Sequence, residues 1–286
     1  MRILLAVDGS QASFQAAEAL AQFAPCEYLI MLNVIDSPTV GYQSLWLEMK
    51  DLPQIVEKEV RRDAQEILER LKGSLTMSVE SLSQKIKKGK PPEIILDIAA
   101  KEKIDLIVMG ARGLNRVSEL VFGSVSHRVM SHASCSTLIV KTPIPRLQHL
   151  LLPIEGIEDS SRAVAFFERM PFQERSKVTV FHAVPFDSDY AMEESLLSGS
   201  FREELMVAGR ALTDHAAAQL TDLGYQAESL VRYGPPAELI EATVVEKQSD
   251  LIVVGSHGRR GLSRFFMGSV SHSVVHRSPC SVLVVR

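Results

Sequence analysis

Short apolar runs alternate with longer amphipathic stretches along the whole chain, and each run closes on a turn signal. Ile3 to Val7 is continuous and apolar, as in a central strand of a parallel sheet. It ends at Asp8-Gly9-Ser10, whose serine can cap a helix over about Gln11 to Phe23. Tyr28 to Ile35 reads as a second strand. Ser37 to Pro53 is irregular, and an amphipathic helix follows over about Gln54 to Leu71, with Gly73 as its stop. A weakly alternating strand spans about Met77 to Ile86, and Gly89-Lys-Pro-Pro leads into a helix over about Glu93 to Lys101. Leu106 to Met109, a helix from Ser124 to about Ser131, and Thr137 to Lys141 complete a β-α-β-α-β-α-β-α-β pattern. Such an order implies a parallel sheet with helices on both faces.

Pro143-Ile-Pro145 is a short stiff linker, after which the order repeats. Leu150 to Ile154 is a strand, Glu155-Gly156 falls where Asp8-Gly9 stood, and a helix spans about Ser160 to Met170. Val178 to Val184 is the next strand. A second irregular excursion, Pro185 to Ser200, precedes a long helix ending near Gly224, and Ser281 to Val285 is the last strand. Two domains are therefore expected, 1–142 and 149–286, and each is long enough to bury its own core.

Composition changes this picture little. A formal net charge of −4 lacks the basic surplus that broad nucleic-acid binding needs, so no nucleic-acid partner is expected. No apolar run approaches the ~18 residues of a membrane span, and the chain reads as cytoplasmic, with no membrane partner. Three widely spaced cysteines, Cys26, Cys135 and Cys280, form neither a disulfide framework nor a zinc site, and they read as small hydrophobes.

The chemistry is carried by a stretch that occurs twice, 145 positions apart and without a gap. The first copy is Asp105-Leu-Ile-Val-Met-Gly110-Ala-Arg-Gly113, nine residues, then Gly123-Ser124-Val125-Ser126-His127. The second is Asp250-Leu-Ile-Val-Val-Gly255-Ser-His-Gly258, nine residues, then Gly268-Ser269-Val270-Ser271-His272. A strand, a glycine-rich turn and a helix start form an anion cradle, because glycines let backbone N–H groups approach a ligand and the helix dipole faces its charge. In an open parallel sheet this loop lies at the same edge as the Asp8 turn. Asp8 can therefore bind ribose hydroxyls or hold a metal, or serve only as a turn residue, while the strand end near Asn33 and Val34 would line a slot for a base. Arg112 and Arg116, and Arg259, Arg260 and Arg264, can pair with the anion or stay solvated. No Gly-x-x-x-x-Gly-Lys-Ser/Thr loop, Gly-x-Gly-x-x-Gly fingerprint, Gly-x-Ser-x-Gly elbow or metal-binding Cys/His cluster is present, and no catalytic residue is assigned.

At these residues the chain resembles the universal stress protein family in its tandem two-domain form. The Gly-two-Gly-nine-Gly-Ser spacing, the Val-Asp8-Gly-Ser opening and the Asp-Leu-Ile-Val strand carry the likeness over nearly the whole chain. The resemblance implies a Rossmann-like fold, with an open five-stranded parallel sheet of order 3-2-1-4-5 in each half. It also implies ATP, with or without Mg²⁺, in the crevice. Carried over, the nucleotide-holding roles fall on Asp8, Val34, Gly110, Gly113, Gly123, Ser124 and Val125. Neighbouring Val7, Met109, Arg112 and Ser126 complete the first candidate site. The second comprises Ile154, Glu155, Val254, Gly255, His257, Gly258, Gly268, Ser269, Val270 and Ser271, with Glu155 where the family has aspartate and Ala183 where Val34 stands.

The favoured reading is an ATP-binding regulatory protein of a stress response, switching conformation or an unknown protein partner. A slow metal-dependent ATPase and a nucleotide-free interaction module, using Tyr42, Trp46, Tyr190 and Leu196 of the two excursions, are the alternatives. The resemblance also implies that the two closing strands pair antiparallel as an intramolecular pseudo-dimer, and it leaves room for a homodimer of chains.

Overall fold

The structure is a computed structural model that describes residues 1–36, 52–113, 122–169, 172, 176–185, 199–256 and 267–286. Tyr42, Trp46, Tyr190 and Leu196, and the loop residues Arg116, His257, Gly258, Arg259, Arg260 and Arg264, lie outside the described residues. The chain divides into two compact units: Met1–Ala21 with Pro25–Pro143, and Ile144–Arg286 with Gln22–Ala24.

The first unit runs β1 (Arg2–Val7), α1 (Gln11–Ala19), β2 (Cys26–Ile35), α2 (Leu52–Ser74), β3 (Val79–Lys88), α3 (Pro91–Lys101), β4 (Leu106–Gly110), α4 (Ser124–His132) and β5 (Ser136–Val140). Its strands lie in the order β3-β2-β1-β4-β5, and all are parallel. The expected fold and strand order are therefore present. Ile3, Leu4, Leu5, Leu106, Ile107 and Val108 are fully buried, because helices cover both faces of the central strands. The first helix stops at Ala19, short of the expected Phe23, and passes into a 3₁₀ turn over Leu20–Gln22. Pro25 lies close behind, and the residue before a proline is held out of the helical region.

The second unit repeats the order: β6 (His149–Pro153), α5 (Ile157–Arg169), β7 (Lys177–Val184), α6 (Gly199–Asp222), β8 (Gln226–Tyr233), α7 (Pro236–Lys247), β9 (Leu251–Gly255), α8 (Ser269–Arg277) and β10 (Ser281–Val285). Its strands lie as β8-β7-β6-β9-β10, again parallel. Here α5 begins at Ile157, ahead of the expected Ser160. The ladder between the two central strands also differs. In the first unit β1 pairs with β4 as far as Ala6↔Met109, but β6 pairs with β9 only as far as Leu151↔Ile252. Pro153 stands at the register of Ala6 and brings no N–H to a ladder.

Both central strands are anchored at their amino ends by a donor aimed at a helix C-terminus. The Arg2 Nε donates to the Glu102 carbonyl just past α3 (2.8 Å), and the His149 Nδ1 donates to the Lys247 carbonyl at the end of α7 (2.6 Å). The His149 Nε2 meets the Thr179 Oγ1 at 2.8 Å, and that hydroxyl gives its one proton to the Glu228 carboxylate, also at 2.8 Å. Burial pushes the Glu228 carboxyl up, yet hydrogen bonds from Lys247, Lys177 and Thr179 hold it down at about 2, so it stays a carboxylate opposite this ring. Replacing His149 with Leu would strand the Lys247 carbonyl beside an apolar side chain and leave the Thr179 hydroxyl with Glu228 alone. We expect a loss of about 2–4 kcal/mol in urea unfolding. An unchanged midpoint would show that the network contributes nothing.

Candidate functional site

At the carboxyl end of β1 the chain turns through Asp8 and Gly9 into α1. Gly9 takes φ +85°, a left-handed conformation that glycine adopts without steric cost. The Asp8 Oδ1 accepts the Ser10 N–H (3.0 Å), and the Ser10 Oγ accepts the Ser13 N–H (3.2 Å) as the cap of α1. The Ser10 hydroxyl also donates to the Arg112 carbonyl (3.4 Å), which ties this turn to the glycine loop.

The glycine loop starts where β4 ends. A Cβ on Gly110 would lie 2.7 Å from the Ala12 Cβ and 2.8 Å from the Ala12 carbonyl carbon, so α1 can pack on this strand end only over glycine. The Ser126 hydroxyl donates to the Gly110 carbonyl (2.8 Å) and the Gly123 N–H to the Ala111 carbonyl (2.9 Å). These two bonds bring the start of α4 back beside the end of β4. Gly123 is the N-cap of α4, and no side chain caps that helix. Its first-turn N–H groups have no partner within the helix and carry the positive end of the dipole, which suits an anion. A Cβ on Gly113 would lie 2.5 Å from the Asp8 Oδ2, so the carboxylate approaches the loop as closely as a side chain can.

These ends enclose a cavity of about 580 Å³, within the size range of small-molecule sites. Val7, Asp8, Val34, Met109, Gly110, Arg112, Gly113, Gly123, Ser124, Val125 and Ser126 all line it. One end is apolar, with Leu32, Val34 and Ile35 from β2 and Ile95 from α3; the other carries the glycine loop and Asp8. Asn33 lies between them and donates from Nδ2 to the Val7 carbonyl (3.0 Å). Sequence reasoning missed the third wall, where α2 contributes Val60, Asp63, Ala64 and Ile67. The apolar stripe of α2 was visible, but nothing local shows that part of it faces a cavity.

The second unit repeats the two bonds at the ends of the loop and changes the turn. The Ser271 hydroxyl donates to the Gly255 carbonyl (2.7 Å), the Gly268 N–H donates to the Ser256 carbonyl (2.9 Å), and Gly268 caps α8 without a side-chain bond. Ser269 and Val270 open that helix, and Val254 and Ile154 are buried at the two strand ends. Glu155, at the position of Asp8, is exposed, and its N–H donates to the Asp159 Oδ2 (3.1 Å). Asp159 stands where the first unit has Ala12. A Cβ on Gly255 would collide with the Asp159 Oδ1 and lie 2.9 Å from its Cγ, so this carboxylate presses on the root of the second glycine loop. Burial pushes the Asp159 carboxyl up to about 6, outweighing the Glu155 N–H and the Arg162 charge that favour its ionised form. His182 takes the place of Asn33, with its Nδ1 donating to the Ile154 carbonyl (2.8 Å). Its ring lies against Gly209 of α6, where a Cβ would be 2.8 Å from the His182 Cδ2. Neither Asp159 nor His182 was singled out from sequence. Pro153 was the available signal, since a proline there brings no N–H to the β6–β9 ladder.

The model of the Universal stress protein family matches residues 1–141 and again 146–286. The chain belongs to that family. A family member of Bacillus subtilis is 30% identical over 147 residues, or 48% of this chain and 97% of the relative. Another, from Methanocaldococcus jannaschii, is 30% identical over 145 residues, or 50% of this chain and 82% of the relative. Among solved structures, a universal stress protein from Archaeoglobus fulgidus aligns with a TM-score of 0.61 at 21% identity, covering 100% of this chain and 98% of that one. Among the described residues, no helix is long and apolar enough to cross a membrane.

Proposed function

We propose that the chain is an ATP-binding regulatory protein of a stress response, with the nucleotide held in the crevice of the first unit. The observation that carries this reading is the single cavity onto which Asp8, Val34, the backbone of Gly110 and Gly113, and the uncapped start of α4 all converge. A polyphosphate would lie against the Gly123-Ser124-Val125 N–H groups, with Arg112 at the rim. The Asp8 carboxylate would take the ribose hydroxyls or a Mg²⁺ ion, and the base would lie between Val34, Ile95 and the α2 wall. The residues suit such a ligand because side chains at Gly113 or Gly123 would crowd the cradle. Occupancy would brace α2, α4 and the Asp8 turn against one another, and through them report nucleotide to a protein partner.

Titrating Mg²⁺-ATP into the full chain should give saturable binding with Kd below about 1 mM, the range in which a cellular ATP pool would fill the site. Heat release that stays linear with added ATP would overturn the reading.

A further inference from the structure

The two crevices share their loop chemistry and differ at the root of the loop. In the first unit the β1–β4 ladder reaches Ala6↔Met109, and the methyl of Ala12 rests on Gly110. In the second, the β6–β9 ladder ends at Leu151↔Ile252, and Pro153 brings no N–H to it. Where Ala12 stood, the Asp159 carboxylate has one oxygen on the Glu155 N–H and the other against Gly255.

A carboxylate at this point acts against anions in two ways. It places negative charge at the root of the loop whose backbone would receive phosphate, in a half-buried crevice that screens charge poorly. It also takes up the Glu155 N–H. The equivalent first-unit turn swings through the left-handed Gly9 and presents its Asp8 carboxylate to the far glycine of the loop. His182 on Gly209 further thickens the wall on the base side, where the first unit has the smaller Asn33.

We propose that Asp159 makes the second crevice reject polyphosphate, so that the chain takes one ATP, in its first unit. This rests on the nucleotide reading above, and it turns a duplicated family site into one nucleotide site and one copy that takes none. Asp159 is then a specificity-determining residue of a kind the glycine spacing does not reveal, since both loops keep every glycine of the motif.

The test is the stoichiometry of Mg²⁺-ATP binding by calorimetry and native mass spectrometry on the full chain. The expected result is one nucleotide per wild-type chain and two per Asp159→Ala chain. The recovered site should be about tenfold weaker than the first because His182 remains, a difference well within the resolution of calorimetry. Asp159→Asn, which keeps the size and the Glu155 contact, should also open the second site if charge decides. Hydrogen exchange should then show new protection over the start of α8. Two nucleotides on wild type would overturn this inference and leave the nucleotide reading intact, as would one nucleotide on both variants. No binding by wild type with one nucleotide on Asp159→Ala would overturn the first-unit assignment alone. No binding by any form would overturn both.

Discussion

Asp159→Asn is expected to make the protein more stable at pH 7 and to leave it unchanged near pH 3. In the folded chain burial raises the carboxyl to about 6, against an ordinary value of 3.8. Between those two values the folded state holds a proton that the unfolded state has lost, so the free energy of unfolding falls as pH rises through the window. The favourable contribution is complete below 3.8 and gone above about 6. At neutral pH the folded chain therefore bears the cost of a poorly solvated carboxylate, about 3 kcal/mol for a shift of roughly two units and less after local relaxation. Asparagine keeps the shape, and its amide oxygen can accept the Glu155 N–H. A gain of about 1–3 kcal/mol in urea unfolding at pH 7 is expected, shrinking towards zero as the wild-type carboxyl protonates. An equal gain at both pH values would mean that packing, and not charge, separates the variants.

Gly123→Val is expected to weaken nucleotide binding in the first crevice at least thirtyfold while leaving the fold largely in place. A Cβ at this position would lie 2.9 Å from the Ala111 carbonyl oxygen, 3.4 Å from the Ser126 Oγ and 3.5 Å from the Arg112 Cα. The first of these neighbours is backbone, and the same oxygen accepts the Gly123 N–H. The start of α4 must then back away from the end of β4. That separates the helix N–H groups from Gly110 and Gly113 and weakens the Ser126–Gly110 bond. Overpacking of this kind costs about 1–3 kcal/mol of stability. Loss of the aligned helix end should weaken Mg²⁺-ATP at least thirtyfold, about 2 kcal/mol. Gly73→Ala is the matched control: no atom lies within 4 Å of its added Cβ, and it sits in the last turn of α2. It should bind as wild type. Equal affinities for wild type and Gly123→Val would place the nucleotide somewhere other than this cradle.

Local sequence already contained the parts of the fold that local physics dictates. Short continuous apolar runs closed by turn residues, such as Ile3 to Val7 and Leu106 to Met109, suit strands covered on both faces, and their alternation with amphipathic helices leads to parallel, doubly covered sheets. The spaced glycines, repeated 145 positions on, marked where backbone approaches closely, and the close contacts at Gly110, Gly113 and Gly123 are the physical reason for those glycines. Helix ends were legible only approximately, because the end of α1 depends on Pro25 and the start of α5 on how the Glu155-Gly156 turn is made.

Tertiary structure alone decided which side chains meet across the crevice. Val60, Asp63 and Ile67 look like any amphipathic stripe until α2 is laid beside the cavity. The bond from the Ser10 hydroxyl to the Arg112 carbonyl joins residues 102 apart and leaves no mark in either local pattern. Asp159 shows the limit most clearly. In sequence it is one acidic residue in the first turn of a helix, where such residues are favoured at the positive end of the dipole. Its closeness to Gly255 depends on where α5 begins, at Ile157, and where β9 ends, at Gly255. Propensity and spacing act over a few residues, whereas this contact depends on where a strand ends and a helix begins in space.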